Sequence, residues 1–163
     1  MSGAKPNRKT ITIERTFNAP IEDVWALWTT ADGIESWWGP EGFRVKVRKL
    51  ELRPGGDLHY DMIATAPAQI AYMKKAGMPL AQETRAFYAD VTPPRRLAFT
   101  HIVDFVPGVE TYESSTIVEL AARGSDTQLV LTVEAMHDEQ WTNMAVMGWQ
   151  SELDKLAKTL ATK

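Results

Sequence analysis

FNAPIEDVWALWTTADGIESWWGP, residues 17–40, carries the strongest structural signal in the chain and contains four of its six tryptophans. Apolar residues recur at the helical spacing i, i+3, i+4, i+7 and would form one face of a helix: Ile21, Val24, Trp25 and Trp28. Trp37 and Trp38 then precede Gly39-Pro40, which is typical of the end of a second short helix. Tryptophans concentrated in two small helices favour one rim of a large apolar cavity.

The segment before this stretch predicts a strand. Residues 11–17 alternate apolar and polar side chains, as expected for a strand with one buried face. Residues 1–9 are polar and predict a short disordered leader, so that a single domain is expected over residues 10–163.

Composition excludes several classes of function. A net charge of −3 without a lysine or arginine run argues against a nucleic-acid partner. The absence of cysteine excludes disulfides and thiolate chemistry. No apolar run reaches the ~20 residues of a membrane span, and the N-terminus lacks the apolar core of a signal peptide, so we expect no membrane insertion and a cytoplasmic protein. Phosphate-loop, dinucleotide and GxSxG motifs are missing, and we expect no cofactor.

The centre of the chain predicts an antiparallel sheet. Apolar and polar side chains alternate over residues 43–52, and the alternation changes phase near Leu50, as it would at a β-bulge. Arg53-Pro54-Gly55-Gly56 is a strong turn signal before the next strand. Further strands are predicted at 57–62, 84–91, 96–103, 111–121 and 127–134. The short connections between them favour a meander.

Residues 64–82 interrupt the strands with a helical pattern. Ile70, Met73 and Ala76 share one face, and Gly77 is typical of the residue that ends a helix. We predict a short inserted helix here. Two roles stay open: a lid over a cavity mouth, or an insertion packed on the outside.

The last ~25 residues predict one long helix. Its apolar stripe runs through Trp141, Ala145, Trp149, Leu153, Leu156 and Leu160. Gly148 lies in the middle, where glycine costs about 0.5–1 kcal/mol relative to alanine. We therefore predict an α+β fold in which a curved antiparallel sheet wraps on this helix, with a hollow near Gly148.

The order of these elements resembles a known superfamily. The motifs are FNAPIEDVWALWT, WWGP, RPGGD, DVTPPRRLAFT and MGWQSELDKLAKTL, spread over about residues 10–160. They resemble the START-like (SRPBCC) helix-grip superfamily, the fold of the birch-pollen allergen. Within it, the chain is similar to the homologues of the activator of the heat-shock-protein-90 ATPase. The resemblance implies a hydrophobic cavity between the sheet and the C-terminal helix, which in relatives binds lipids, sterols or polyketides or houses cyclisation, dehydration or hydrolysis.

Few polar residues are candidates for chemistry. His101 is in phase with Leu97 and Phe99 on its strand and should face the cavity. It could act there as a general acid or base, or it could be a hydrogen-bonded core residue. Arg15 could hold an acidic ligand or pair with a carboxylate of a neighbouring strand. The Asp57, His59 and Asp61 face superficially resembles a metal site, but it lies opposite the apolar face of its strand, and we predict no metal.

A larger set is predicted to line the cavity because it combines aromatic, methionine and imidazole side chains. Its members are Trp37, Trp38, Tyr60, Met62, Tyr88, His101, Phe105, Met144, Met147 and Trp149. Ordinary core packing is the alternative for any one of them.

Three functions follow in order of preference. The first is non-catalytic binding of a small hydrophobic or aromatic molecule. The second is a cyclase- or hydrolase-type enzyme that uses His101 as its acid or base, with Arg15 or a tyrosine holding an oxyanion. The third is a co-chaperone-like interaction protein, although the namesake co-chaperones have an additional N-terminal domain for which 163 residues leave no room. We therefore expect no chaperone partner, and a homodimer stays open.

Overall fold

Seven strands and four helices account for the regular structure of residues 9–39, 41–104 and 106–162, which the computed structural model describes. The elements are β1 (Thr10–Phe17), α1 (Ile21–Thr29), α2 (Ala31–Trp37), β2 (Phe43–Leu50), β3 (Asp57–Ala64), α3 (Pro67–Lys75), β4 (Ala81–Thr92), β5 (Arg96–Val103), β6 (Tyr112–Arg123), β7 (Asp126–Glu134) and α4 (Glu139–Ala161). None of these helices is both long enough and apolar enough to cross a membrane.

The strands form one antiparallel sheet in the order β1-β7-β6-β5-β4-β3-β2. Each strand from β2 to β7 pairs with its neighbour along the chain, and β1 pairs with β7. The two short helices after β1 carry the chain from one edge of the sheet to the other. The predicted α+β architecture, a curved antiparallel sheet on a long C-terminal helix, is confirmed.

The bulge that the phase change predicts is present in β2. Its register against β3 shifts between Val47 and Lys49. The turn that follows needs a glycine, because a Cβ on Gly56 would lie 2.1 Å from the carbonyl oxygen of Glu51. Tyr88 in β4 exchanges two backbone hydrogen bonds with this turn, which ties the turn to the sheet.

Helices α1 and α2 pack closely at the same end of the sheet. Thr30 caps α2 by accepting the Gly33 N–H on its Oγ1 at 3.0 Å. A Cβ on Gly33 would lie 2.5 Å from the carbonyl oxygen of Ala26 in α1, so only glycine allows this approach. Trp37 then turns back and donates its Nε1–H to the carbonyl oxygen of Leu27 at 2.8 Å.

The C-terminal half of α4 completes the core against these two helices. Leu153, Leu156 and Leu160 are buried. The large side chains that are almost fully enclosed include Val24, Trp28, Ile34, Trp37, Leu129 and Leu131. This end of the molecule is therefore solid, as a well-packed protein interior is.

Helix α3 occupies the segment in which an inserted helix is predicted. It begins at Pro67, in the first-turn position that proline tolerates, and Gly77 follows its end with a φ of 70°. Of the predicted apolar face, Met73 is buried, whereas Ala76 is exposed.

Candidate functional site

A cavity of about 810 Å³ lies between the sheet and the N-terminal half of α4. All seven strands contribute at least one side chain to its wall, and the rest comes from α3, α4 and the connecting residues Trp38, Met78 and Met136. The volume falls in the range of ligand pockets, roughly 300–1,000 Å³. Gly148 lies on the wall, and a Cβ placed on it would meet no atom within 4 Å. The predicted hollow beside this glycine is therefore present.

One end of the cavity is formed by residues that also reach solvent. Tyr72 of α3 is 61% exposed and Met144 of α4 is 45% exposed, and both belong to the cavity wall. Gln69 and Met73 of α3 also line the cavity, so α3 is a wall element at this end. That α3 opens and closes as a lid stays a prediction.

The opposite end of the cavity is closed and polar. Trp38 and Tyr60 are buried there, and the Tyr60 hydroxyl lies 2.8 Å from His101 Nε2. Burial lowers the pKa of His101 to about 4, so the imidazole is neutral at neutral pH. Burial, and secondly the charge of Glu152, raise the pKa of Tyr60, so its hydroxyl stays protonated. This pair can donate and accept hydrogen bonds, but it carries no charge.

Glu152 of α4 is the ionisable group of this closed end. It is only 8% exposed, and its Oε1 accepts the N–H of Gly39 at 2.8 Å. Burial raises its pKa to about 7, against the opposing effects of the Gly39 hydrogen bond and the Lys155 ammonium. A buried carboxyl that titrates near neutral pH is suited to proton transfer or to holding a cation.

Gly39 joins the end of α2 to two charged groups of α4. Its N–H binds Glu152, and its carbonyl oxygen accepts a hydrogen bond from Lys155 Nζ at 2.8 Å. The φ of 93° favours glycine, and a Cβ would also approach the Phe43 carbonyl oxygen to 3.3 Å. The predicted helix-terminating glycine therefore also positions the cavity carboxyl.

Six of the predicted lining residues do line the cavity: Trp38, Tyr60, Met62, His101, Met144 and Trp149. Three lie elsewhere: Trp37, Tyr88 and Met147. Trp37 is fully buried because its indole points to α1, where it bonds to Leu27. Tyr88 is 1% exposed and lies beside the β2–β3 turn, away from the cavity. Met147 is 68% exposed on the outer side of α4, and Phe105 lies outside the described residues.

Three of the remaining polar candidates, Arg15, Asp57 and Asp61, are engaged in ion pairs. Arg15 NH1 lies 2.8 Å from Asp154 Oδ1, so its carboxylate partner comes from α4 and not from a neighbouring strand. Arg15 does not line the cavity and cannot hold an oxyanion there. Asp57 pairs with Lys49 at 2.9 Å, and Asp61 accepts a 2.8 Å hydrogen bond from Arg48 Nε. Within the described part of the chain, no three His, Cys, Asp or Glu side chains cluster as metal ligands would.

Several polar lining residues escape prediction from the sequence. They are Gln69, Gln82, Thr84, Ser114, Thr116, Glu134, Gln140, Thr142 and Glu152. Glu152 carries a usable signal, because it lies four residues after Gly148 and three after Trp149, on the stripe that faces the sheet. Thr84 and Thr116 alternate in phase with buried neighbours on β4 and β6.

The comparisons with known proteins agree with this geometry. No functionally curated protein matches the chain. A solved protein from Chromobacterium violaceum is 25% identical, with a TM-score of 0.75 over 93% of this chain and 96% of that one. A protein from Arthrobacter aurescens is 20% identical, with a TM-score of 0.74 over 94% of this chain and 87% of that one. The AHSA1 protein from Silicibacter pomeroyi is 23% identical, with a TM-score of 0.72 over 94% and 99% of the two chains.

A family assignment follows from the sequence match and the fold together. The sequence model of the family described as "Activator of Hsp90 ATPase homolog 1-like protein" matches residues 18–161, which include α1 to α4 and β2 to β7. The sheet, the long helix and the cavity between them are the arrangement that the resemblance implies. The chain belongs to the family of activator of Hsp90 ATPase homolog 1-like proteins.

Proposed function

We propose that the protein binds a small hydrophobic or aromatic molecule in the cavity between the sheet and α4. The observation that carries this proposal is the cavity itself, about 810 Å³ with a closed inner end and a rim of exposed side chains. A void of this size gives up packing contacts that would otherwise stabilise the fold. Such a loss is expected where a ligand restores those contacts.

The composition of the wall supports an apolar, flat occupant. Aromatic side chains line it at both ends, with Trp38 and Tyr60 inside and Tyr72 at the rim. Five methionines complete the apolar lining: Met62, Met73, Met78, Met136 and Met144. Methionine adapts to irregular shapes and makes favourable contacts with aromatic rings.

The binding test uses two substitutions one residue apart on α4. Gly148→Phe places a ring into the open space of the cavity, whereas Met147→Phe places the same ring on the solvent side. We expect native mass spectrometry of the purified protein to show a co-purifying small molecule. We also expect an apolar fluorescent dye to bind the wild type and Met147→Phe alike, and to bind Gly148→Phe at least about tenfold more weakly.

Two results would contradict the proposal. One is dye binding that is equally strong in Gly148→Phe, because the dye would then occupy another surface. The other is a wild-type protein that yields no bound molecule and does not respond to an apolar library in tryptophan fluorescence. The tryptophans Trp38 and Trp149 on the wall make that response a sensitive probe.

A second candidate function, acid–base catalysis in the same cavity, is favoured by Glu152. Its pKa of about 7 lets the carboxyl take up or release a proton at neutral pH, and Tyr60 and His101 provide neutral hydrogen-bonding groups on the facing sheet. With a pKa near 4, His101 is a weaker base than expected from the sequence. Catalysis requires that Glu152→Gln abolishes turnover of a bound compound while its binding persists; unchanged turnover would remove this candidate.

A further inference from the structure

We propose that the occupant of the cavity carries a protonated amine next to its flat apolar part, and that Glu152 binds this amine at the closed end. The inference rests on the proposed binding function and names the chemical class of the ligand. It stands on the distribution of charge over the cavity wall, on the position of the Glu152 carboxyl and on the aromatic rings around it.

The charge on the wall has one sign. Among the described lining residues, the charged types are Glu134 and Glu152, and neither lysine nor arginine occurs. An anionic head group would therefore be buried without a cation, which is a strongly unfavourable arrangement. Fatty-acid-like ligands are disfavoured on this ground, and a cation is favoured.

The Glu152 carboxyl has capacity for a further donor. Its Oε1 accepts the Gly39 N–H, while Oε2 accepts no hydrogen bond from the described residues. A carboxylate can accept about four hydrogen bonds, and a primary ammonium offers three donors. A charge-assisted bond between them is roughly twice as strong as a neutral hydrogen bond.

The aromatic rings of the closed end complete a site for a cation. Trp38 and Trp149 lie with ring centroids 6.3 Å apart and planes at 80° to each other. The Trp38 and Tyr60 centroids are 5.1 Å apart. Rings that meet at a steep angle offer faces and edges to one space, and the face of a tryptophan attracts an ammonium within about 6 Å. The same rings stack with the apolar part of the ligand.

The Lys155 ammonium acts on Glu152 through its charge, which opposes the rise in the pKa of the carboxyl, but its hydrogen bond goes to another group. Lys155 of the same helix donates to the Gly39 carbonyl and does not line the cavity. From β3 and β5, Tyr60 and His101 present neutral groups at neutral pH, since burial raises the pKa of the phenol and lowers that of the imidazole. From β7, Glu134 adds a carboxyl that accepts the backbone N–H of Ser115 at 2.7 Å. An ammonium entering the site therefore meets the Glu152 carboxylate as a charged acceptor, beside neutral groups that can accept as well as donate.

The test compares three probes that share one ring system and differ in the head group: naphthylethylamine, naphthylethanol and naphthylacetate. Affinities are measured by calorimetry at about pH 8, where an alkylamine is protonated and Glu152 is mostly ionised. We expect the amine to bind about ten- to hundredfold more tightly than the alcohol, and naphthylacetate to bind most weakly. At about pH 5.5 the carboxyl is protonated, and the advantage of the amine over the alcohol should shrink severalfold.

Two matched variants assign the effect to one carboxyl. Glu152→Gln keeps an oxygen for the Gly39 N–H but loses the charge, and should remove the advantage of the amine. Glu83→Gln makes the same change in net charge at an exposed position of β4, between the lining residues Gln82 and Thr84, and should leave the advantage intact. If Glu152→Gln does not fold, the two-pH series on the wild type still decides.

The outcomes separate this proposal from the function on which it rests. Equal affinity for the amine and the alcohol, or tightest binding of the acetate, would overturn the amine site and leave apolar ligand binding in place. An amine advantage that survives in Glu152→Gln would also overturn it. Binding of none of the three probes would contradict the proposed function, and the amine site with it.

Discussion

The two halves of α4 belong to one continuous helix but face different surroundings. In the C-terminal half, Leu153, Leu156 and Leu160 are buried against α1, α2 and the sheet. In the N-terminal half, Gly148 and Trp149 border a cavity of about 810 Å³, and Met144 reaches solvent. The helix therefore holds the fold together with one half and forms a wall of the cavity with the other.

The difference teaches how a curved sheet and a straight helix share their contacts. A twisted sheet cannot follow a rod along its whole length, so close packing at one end leaves a gap at the other. At the packed end, α1 and α2 fill the space beside α4, and their tryptophans are the largest enclosed side chains. At the open end, α3 covers only part of the gap, and the absence of a side chain at Gly148 enlarges it.

The largest expected effect contrasts a side chain of each half. Leu156→Ala removes a fully enclosed side chain and should lower the free energy of unfolding by about 2–5 kcal/mol. Met144→Ala removes a side chain that is 45% exposed and should change it by less than about 1 kcal/mol. Urea unfolding followed by circular dichroism measures both; similar losses in the two variants would show that the halves are equally packed.

A second prediction concerns the pH dependence of stability, in which two cavity groups oppose each other. The folded protein raises the pKa of Glu152 from 4.5 to about 7, so this group costs stability progressively as pH rises through that window. It lowers the pKa of His101 from 6.5 to about 4, so this group costs stability as pH falls through that window. In the overlap, the two slopes partly cancel in the wild type.

Single variants should reveal how each group changes the free energy of unfolding with pH. Relative to the wild type, the free energy of unfolding of Glu152→Gln should increase by up to about 3 kcal/mol as pH rises from 4.5 to 7. That of His101→Gln should increase by a similar amount as pH falls from 6.5 to 4. The measurement is urea unfolding of the three proteins across this pH range. A difference from the wild type that does not change with pH in either variant would show that the corresponding group titrates alike in the folded and unfolded chains.

The smallest effect compares two helical glycines. Gly148→Ala adds a methyl group to open space and removes the cost of a mid-helix glycine, so it should stabilise the protein by about 0.5–1 kcal/mol. Gly33→Ala should destabilise it by about 1–3 kcal/mol, because its Cβ would lie 2.5 Å from the Ala26 carbonyl oxygen. Thermal unfolding of both variants checks the opposite signs, and a stabilised Gly33→Ala would contradict the close packing of α1 and α2.

The elements of the fold could be predicted from the sequence because each has a clear period. The helical spacing in residues 17–40, the alternation of the strands and the long stripe of α4 determine which residues turn inward. These patterns do not determine whether an inward residue meets another side chain or an empty space. Trp37 and Trp38 are adjacent and both buried, yet only Trp38 lines the cavity.

The polar part of the site was harder to predict for a related physical reason. Helical phase places Glu152 on the inward stripe of α4, but a glutamate is ordinarily assigned to the solvent side. Its burial is compensated by Gly39, more than a hundred residues earlier, which donates a hydrogen bond to it. That partner comes from tertiary structure and leaves no mark in the local pattern. The prediction for Met147 is wrong for a simpler reason: it follows Met144 by one turn but lies about 100° around the helix from its neighbour Gly148, on the solvent side.

The pairing of β1 with β7 places the two ends of the sheet's sequence side by side, and this has a consequence for folding. Ile11 of β1 lies opposite Val133 of β7, and both side chains form part of the cavity wall. The wall cannot be completed during synthesis until β7 has been made, and pairs so distant in sequence are slow to form. The apolar face of the sheet therefore stays uncovered until late in translation, when α4 arrives, and the nascent chain is most prone to aggregation in that interval.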